Sequence, residues 1–325
     1  MFSRILILSF LMFFYVSYGF EAFLEKKIKA SGAVSDIVYS NGKIYVATER
    51  SKVDVIDLSK KEIIKSYEYP YFEDFMGELQ PAKVFSADVS PDGKKLIATV
   101  QGIRGSREVY LLDLTKEGKP VKIVSRKAHL PINKLRFVSN NKVVFGLSGD
   151  EVILYDIDQK KQLYRISVGM SFFSDMAIDT DKKLVAVVDE SGDTHIVDVE
   201  QGKVVRNLEE MNKDKAFSVD IKNRVVISGG RDKKASVFDL KTGHRKEFLA
   251  DDFMVFSVGL SQDGKLGAYL YNDKYDVAVV DISAGERIGF LKGHISTPGR
   301  ILFVSKNIII TGCDNGEIYI WRIKR

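Results

Sequence analysis

The chain consists mainly of short apolar runs separated by turn-forming residues. Runs such as "KKLIATV" and "NRVVISG" are rich in Val and Ile and alternate partly between apolar and polar positions. This period of two is typical of β-strands, and no long stretch has the spacing of an amphipathic helix. The turns "SPDG" (Ser90 to Gly93) and "SQDG" (Ser261 to Gly264) suit tight hairpins, where glycine accepts a positive φ. The pattern predicts an all-β protein.

One run recurs along the whole chain and ends in an aspartate followed by an aliphatic residue. That position holds Asp57, Asp113, Asp156, Asp198, Asp239, Asp281 and, in the last copy, Arg322. Five of the six intervals are 41 to 43 residues, and the first interval is 56. Each unit has four apolar strands, and the fourth follows a lysine-rich turn. A period of about 42 residues with four strands is typical of a propeller blade, so the sequence predicts a seven-bladed β-propeller.

The last unit resembles a WD repeat. It opens with Gly293 and His294, contains the hairpin "TGCDNGEIYIW", and closes with Trp321. The resemblance implies a structural hydrogen-bond network between the histidine, the tryptophan and a hairpin aspartate, whose place Asn315 takes. The first unit, "GKIYVATERSKVDVID", is similar to the YVTN-type repeats of secreted bacterial propellers. These likenesses imply a fold and no particular activity, because propellers support many unrelated functions.

The last unit stops one strand short, since the chain ends soon after Trp321. The N-terminal segment from Phe23 to Lys29 can supply the missing strand. An open sheet edge is a liability for a soluble protein. We therefore expect a propeller that spans residues 20–325 and is closed by an N-terminal strand pairing with the C-terminal blade.

The first 19 residues have a different character. One arginine precedes an apolar run from Ile5 to Val16, and small residues follow at Ser17 and Gly19. This order is typical of a secretory signal peptide, and the run is short for a membrane span. We expect a signal peptide over residues 1–19, a periplasmic mature protein and no stable membrane span after cleavage. An uncleaved membrane anchor is the alternative.

Composition and motifs limit the classes of function that the sequence predicts. The net charge of +5 is weak for a nucleic-acid-binding protein, so no nucleic-acid partner is expected. The single cysteine, Cys313, cannot form an internal disulfide. The four histidines lack ligand spacing and are expected in turns, so no metal and no cofactor are predicted; they are His129, His195, His244 and His294. No motif of a serine hydrolase, a zinc peptidase or a phosphate loop is present, so the sequence predicts no enzyme.

Two long loops of the second unit form the candidate binding site. The loop from Tyr67 to Lys83 is aromatic and acidic, and the loop from Gln101 to Glu108 is basic. Both are expected on one face of the ring, where exposed aromatic residues beside charges suit protein binding. The candidate protein-binding residues are Tyr69, Tyr71, Phe72, Asp74, Phe75, Arg104 and Arg107. The alternative is that the aromatic residues fold onto their own blade as local core.

A second candidate comes from a recurring Phe-Ser pair where the first strand of a unit begins. The phenylalanines are Phe85, Phe173, Phe217 and Phe256. They would lie at the channel mouth and hold a ligand, or they would pack between blades. Asp88, Arg136 and Asp220 lie further along the inner strands and could line the channel.

The sequence as a whole predicts a non-catalytic, monomeric periplasmic propeller that serves as a protein-binding scaffold or accessory factor. Its plan also resembles the propeller proteins found with periplasmic nitrate reductase systems. That resemblance implies partners among nitrate reductase components and a role in maturation or support of the reductase. The alternative is a lactonase-like hydrolase that uses carboxylates in the central channel, with or without a divalent cation.

Overall fold

The protein is a ring of seven blades. In the computed structural model, which describes residues 19–324, these residues form seven four-stranded antiparallel sheets and one small two-stranded hairpin. The predicted signal peptide lies outside the described residues except for Gly19. The seven-bladed all-β propeller predicted from the repeat is confirmed. No helix within residues 19–324 is long and apolar enough to cross a membrane.

The strands follow each other in chain order from the centre of each blade to its rim. The N-terminal strand is β1 (Glu21–Lys29). Blade 1 contains β2 (Val34–Ser40), β3 (Lys43–Thr48), β4 (Lys52–Asp57) and β5 (Glu62–Glu68). The small hairpin contains β6 (Phe72–Glu73) and β7 (Leu79–Gln80). Blade 2 contains β8 (Val84–Val89), β9 (Lys95–Gln101), β10 (Arg107–Asp113) and β11 (Val121–Val124). Blade 3 contains β12 (Ile132–Phe137), β13 (Lys142–Leu147), β14 (Glu151–Asp156) and β15 (Lys161–Ser167).

The second half of the ring has the same order. Blade 4 contains β16 (Phe173–Ile178), β17 (Leu184–Asp189), β18 (Thr194–Asp198) and β19 (Lys203–Leu208). Blade 5 contains β20 (Ala216–Lys222), β21 (Val225–Gly230), β22 (Lys234–Asp239) and β23 (Arg245–Leu249). Blade 6 contains β24 (Val258–Leu260), β25 (Leu266–Leu270), β26 (Val277–Asp281) and β27 (Glu286–Leu291). Blade 7 contains β28 (Pro298–Ser305), β29 (Ile308–Cys313) and β30 (Glu317–Lys324). Two short 3₁₀ turns are Ile103–Gly105 and Arg126–Ala128.

The repeated aspartate ends the third strand of a blade and shapes the turn to the fourth. In blade 1, Asp57 Oδ1 accepts the backbone N–H groups of Ser59 at 2.9 Å and of Lys60 at 3.0 Å. Asp198 and Asp281 make the same kind of bond in their turns. A short side-chain acceptor two or three residues upstream is the usual way to satisfy such turn amides. In blade 7 the corresponding Arg322 lies inside strand β30 and has no turn amides to accept.

The N-terminal strand closes the ring, as predicted. Strand β1 pairs antiparallel with β30, so that Phe23 lies opposite Arg322 and Ile28 lies opposite Ile318, with a bulge after Leu24. Blade 7 therefore has the strand order β1, β30, β29, β28. Its core continues into blade 1 through buried isoleucines of both blades. The hydrophobic effect and backbone hydrogen bonds thus act together at the closure.

Candidate functional site

Two faces of the ring differ in their connections. Because the strands alternate in direction, the links from rim to centre and the loops between second and third strands lie on one face, here called the loop face. The turns between first and second strands lie on the opposite face, here called the turn face. Both long segments of blade 2 are on the loop face, as expected. The first of them forms the hairpin of β6 and β7.

The end of this hairpin exposes apolar side chains. Tyr71 is 56% exposed, Phe75 is 95%, Met76 is 74% and Leu79 is 73%. We call these four residues the hairpin tip. Asp74 shapes the turn beneath them by accepting the backbone N–H groups of Met76 and Glu78. These bonds, that of Glu78 foremost, lower the pKa of the Asp74 carboxyl. Asp74 is thus a turn former at the base of the exposed cluster.

Two other predicted loop residues belong to the core of the blade. Tyr69 is 3% exposed and its ring packs edge-on against Tyr110 with centroids 5.8 Å apart. Burial raises the pKa of Tyr69 above its usual range. Phe72 is partly buried against the same core. Tyr69 and Phe72 therefore fit the alternative of local core, whereas Tyr71 and Phe75 are exposed, and protein binding by the loop stays a prediction.

The two arginines of the second loop have different surroundings. Arg104 is exposed in the 3₁₀ turn, with a positive φ of 54°. The Arg107 guanidinium lies 3.7 Å from the Phe85 ring centroid and donates to the Gly105 carbonyl oxygen at 2.6 Å. Burial lowers the pKa of Arg107. Arg107 and Phe85 therefore form a cation–π pair that holds the loop, and Arg104 is available at the surface.

The four phenylalanines of the repeated Phe-Ser pair are not equivalent in register. Phe85 and Phe217 are bulged residues, skipped by the pairing of β8 and β20. In blade 4 the skipped residue is Ser174, so Phe173 lies one position earlier and is 9% exposed. Phe217 and Phe256 contact each other, with ring centroids 4.8 Å apart. The four rings thus do not form one continuous group: Phe85 contacts Arg107 of its own blade, and Phe217 contacts Phe256. A role in holding a ligand stays a prediction.

The residues that follow the bulges point to the central channel. In six blades they are Asp36, Ser86, Lys134, Asp175, Ser218 and Arg300. Five of these six line a cavity of about 240 Å³ that extends toward the turn face. Asp88, Arg136 and Asp220, which the sequence offered as channel residues, line the same cavity.

Four of the channel charges are paired with each other. Asp36 contacts Arg136 at 2.8 Å and Lys134 at 3.2 Å, and Lys134 contacts Asp175 at 3.0 Å. Burial alone would raise the pKa of Asp36, but Arg136 and Lys134 outweigh it and hold that pKa far below its usual range. Burial also lowers the pKa of Lys134. The group forms a buried ionic network, in which each charge depends on its partners.

Several channel carboxylates also bind backbone of the next blade. Asp88 Oδ2 accepts the N–H of Phe137 at 2.7 Å, and Asp220 Oδ2 accepts that of Leu260 at 2.9 Å. Asp175 accepts the N–H of Val219 in the same way at 3.3 Å. Each bond links one blade to its successor. The channel aspartates therefore connect neighbouring blades around the cavity.

The network implied by the WD resemblance is present in part. Thr311 Oγ1 accepts a hydrogen bond from Trp321 Nε1 at 3.1 Å and lies 2.8 Å from His294 Nε2. Nδ1 of His294 is buried and has no hydrogen-bond partner. Asn315 accepts the backbone N–H of Glu317 instead, at 3.0 Å. Asn315 thus does not make the bond to His294 that the family's aspartate makes, and burial lowers the pKa of His294 to about 4.

A group that sequence reasoning missed lies between blades 3 and 4. It contains Asp150, Asp189 and His195, all buried, with one side-chain oxygen or nitrogen of each within 4.8 Å of the others. Burial, with the neighbouring Asp189 carboxylate, raises the pKa of Asp150 above its usual range. His195 lies on strand β18 rather than in the expected turn. No motif could reveal the group, because its members belong to different blades.

The comparisons place the chain in a class by its fold. It is a seven-bladed β-propeller, and the solved β-propeller domain of Cps50 (Swd1) from Myceliophteria thermophila, a WD-repeat propeller, is similar to it. The TM-score is 0.75 at 14% identity, covering 94% of this chain and 100% of that domain. At this identity the likeness concerns the fold alone. No protein-family model matches the chain, and no curated protein matches it.

Proposed function

We propose that this protein is a non-catalytic periplasmic propeller that binds another protein through the loop face of blade 2. One observation carries the proposal: the hairpin tip exposes an aromatic ring, a methionine and a leucine at 73–95% of their surfaces. Side chains this apolar gain free energy when a partner removes them from water. The propeller fold itself is compatible with a scaffold of this kind.

The surroundings of the hairpin tip support an interface. Phe72 and Asp74 fix its base, so the exposed residues are presented on an ordered hairpin. Exposed apolar side chains occur at other positions of the loop face, at Met170 (105%) and Phe172 (67%). Aromatic residues and methionine are enriched in protein interfaces, where a rigid support lowers the entropy lost on binding.

The pairing of the channel charges supports a non-catalytic role. A hydrolase site needs carboxylates that are free to bind substrate, water or a cation. Asp36 and Asp175 contact Lys134, and Asp88 binds a backbone amide. These carboxylates contribute to the structure of the ring, which leaves them poorly placed for the lactonase-like alternative.

We further propose that the partner is a component of a periplasmic nitrate reductase system. The support is the resemblance in overall plan to NapL, the propeller protein found with such systems. It rests on the signal-like N-terminus, the length of the chain and the degenerate repeats. In this role the protein would assist maturation or support of the reductase and carry no redox cofactor.

A triple substitution at the hairpin tip tests the binding proposal. Phe75→Ser, Met76→Ser and Leu79→Ser remove apolar surface without touching the core. The matched control is Val121→Ser with Leu249→Ser, which removes side chains 63% and 64% exposed on rim strands. Tagged proteins are cross-linked in the periplasm and their partners are identified by mass spectrometry.

We expect a defined partner with the wild type and the control, and its loss with the triple variant. Equal capture of that partner by all three proteins would show that the hairpin tip does not bind it. A partner that is unrelated to nitrate reduction would refute the narrower proposal and leave the binding role intact.

A further inference from the structure

The carboxylate of Asp150 is buried in an unusual way. The residue is 0% exposed, and neither Oδ1 nor Oδ2 has a hydrogen-bond partner. A buried carboxylate without a donor is costly, and native structures normally supply one or bind a cation there. The sequence places Asp150 in the loop between β13 and β14, at a positive φ of 57°. Its side chain is buried at the interface between blades 3 and 4.

Two further groups converge on the same point. Asp189 Oδ2 lies 3.2 Å from His195 Nε2, and the three side chains each offer one atom within 4.8 Å of the others. Ligand atoms bound to one cation at about 2.0–2.2 Å lie some 3–3.5 Å from each other in a tetrahedral arrangement. The separation of Asp189 and His195 fits that spacing.

Outer partners orient two of these side chains. Asp189 Oδ1 accepts the backbone N–H of Ser191 at 2.8 Å and its hydroxyl at 2.5 Å, which leaves Oδ2 for the cluster. His195 Nδ1 lies 2.9 Å from Asn207 Oδ1, an acceptor, so Nδ1 carries the proton. The Nε2 lone pair then faces the carboxylates. Bonds of this type fix the tautomer and direction of histidines that bind metals.

The backbone leaves space for an ion at this point. A Cβ built on Gly169 would overlap Asp150 Oδ2 and lie 2.9 Å from both Asp189 Oδ2 and His195 Nε2. Glycine at this link between β15 and β16 therefore keeps the centre of the three groups open. A methyl group there would occupy the same volume as an ion.

The arrangement is specific to one blade interface. At the interface of blades 1 and 2, the corresponding positions hold Ser51 and Val100. At the interface of blades 4 and 5, they hold Gly192 and Gly230. The two acids thus do not belong to the general plan of the ring.

We propose that Asp150, Asp189 and His195 bind one divalent transition-metal cation, with Zn²⁺ the best fit, and that the ion links blade 3 to blade 4. Imidazole with carboxylates suits Zn²⁺, whereas Mg²⁺ prefers six oxygen ligands and keeps several waters. Two carboxylates also neutralise the charge of the ion. The site is distinct from the hairpin tip and from the channel, so its test is independent of the binding role.

The experiment uses the full mature chain after EDTA treatment and desalting. ZnCl₂, MnCl₂, MgCl₂ and CaCl₂ are added separately, and three quantities are measured: the metal content after desalting, the affinity by calorimetry and the thermal midpoint. The variants are Asp150→Asn, His195→Gln and Gly169→Ala. Glu190→Gln is the matched control, because Glu190 is an exposed carboxylate next to Asp189 that pairs with Lys215.

We expect one Zn²⁺ per chain in the wild type and in the control, with a higher thermal midpoint on binding. Each of the three variants should lose about 100-fold in affinity and its midpoint should respond little to zinc. Metal-free Asp150→Asn should be at least as stable as the metal-free wild type, because it removes the unpaired buried charge. That result separates loss of a ligand from loss of folding.

Other outcomes would overturn the proposal. Absence of zinc uptake by the wild type, or equal uptake by the wild type and the three variants, would show that the cluster is not a metal site. A response to Mg²⁺ or Ca²⁺ without one to Zn²⁺ would refute the assignment to a transition metal.

Discussion

Asp36 of blade 1 and Arg136 of blade 3 form a two-point ion pair across the channel. The Arg136 guanidinium donates to Oδ2 at 2.8 Å and to Oδ1 at 2.9 Å. Blade 2 lies between these partners, and its Ser86 hydroxyl donates to the same carboxylate at 2.6 Å. Three successive blades thus meet at one carboxylate. The pair acts as a cross-link inside the ring.

Asp36→Asn should strongly destabilise the protein. The substitution leaves Arg136 and Lys134 buried without their shared anion, a change that costs about 3–5 kcal/mol in buried pairs. Urea unfolding measures the free energy. Asp252→Asn is the control, since the pair of Asp252 with Lys233 is exposed to solvent and should contribute little to stability. Similar losses in both variants would contradict the role given to the channel network.

Deleting Phe23 to Lys29 should lower the thermal midpoint of the whole ring. The deletion leaves β30 as an unpaired edge and uncovers the core around Ile318. Lys26→Ala is the control, because this exposed side chain lies at the bulge and its loss keeps the pairing. Thermal unfolding followed by circular dichroism gives the midpoint. An unchanged midpoint after the deletion would mean that β1 is not needed for closure.

His294 should make stability fall in mild acid. Burial lowers its pKa to about 4 in the native state, while an unfolded histidine has a pKa near 6.5. Between pH 6.5 and 4 the unfolded chain therefore takes up a proton that the native state does not, and the free energy of unfolding decreases. The loss at this site should approach about 3 kcal/mol at the acid end.

The His294→Gln variant isolates the contribution of this histidine to the free energy of unfolding. Glutamine cannot titrate, so the wild type should lose stability relative to the variant as the pH falls from 6.5 to 4. Urea unfolding at a series of pH values gives the difference directly, because other groups titrate alike in both proteins. Parallel profiles would show that the histidine does not titrate differently in the two states.

Arg107→Ala and Arg104→Ala should differ although both belong to one loop. Loss of Arg107 removes the contact with Phe85 and the bond to Gly105, and should cost about 1–2 kcal/mol. Loss of the exposed Arg104 should change stability by less than about 0.5 kcal/mol. Equal effects in urea unfolding would contradict the assignment of Arg107 to the structure of the loop.

The fold could be predicted because its causes are local and repeated. Each unit repeats the same sequence pattern. It contains alternating strands, hairpin turns and an aspartate whose side chain accepts the backbone amides of the following turn. The closure followed from the same reasoning, since the last unit lacked a strand and the N-terminal strand belonged to no unit. Because open sheet edges are unfavourable, pairing of the N-terminal strand with the last unit was the expected arrangement.

The sites could not be predicted to the same depth. Asp36 and Arg136 are 100 residues apart in the chain, so their contact leaves no trace in local sequence. Asp150 and His195 meet across a blade interface for the same reason. The repeated Phe-Ser pair suggested equivalent positions for all four phenylalanines, and Phe173 of blade 4 does not fit. A bulge shifted by one residue moves a side chain to another position without altering the motif.

The pairing of β1 with β30 also imposes an order on the assembly of the ring during synthesis. β1 precedes all the blades in the chain, and its partner β30 is the third strand of blade 7, so β1 stays unpaired until β30 has been made. Until then β1 and β29 each present an open sheet edge, and open edges promote association between molecules. Chains that lack β30 should therefore associate with each other, whereas β30 covers both edges within one molecule.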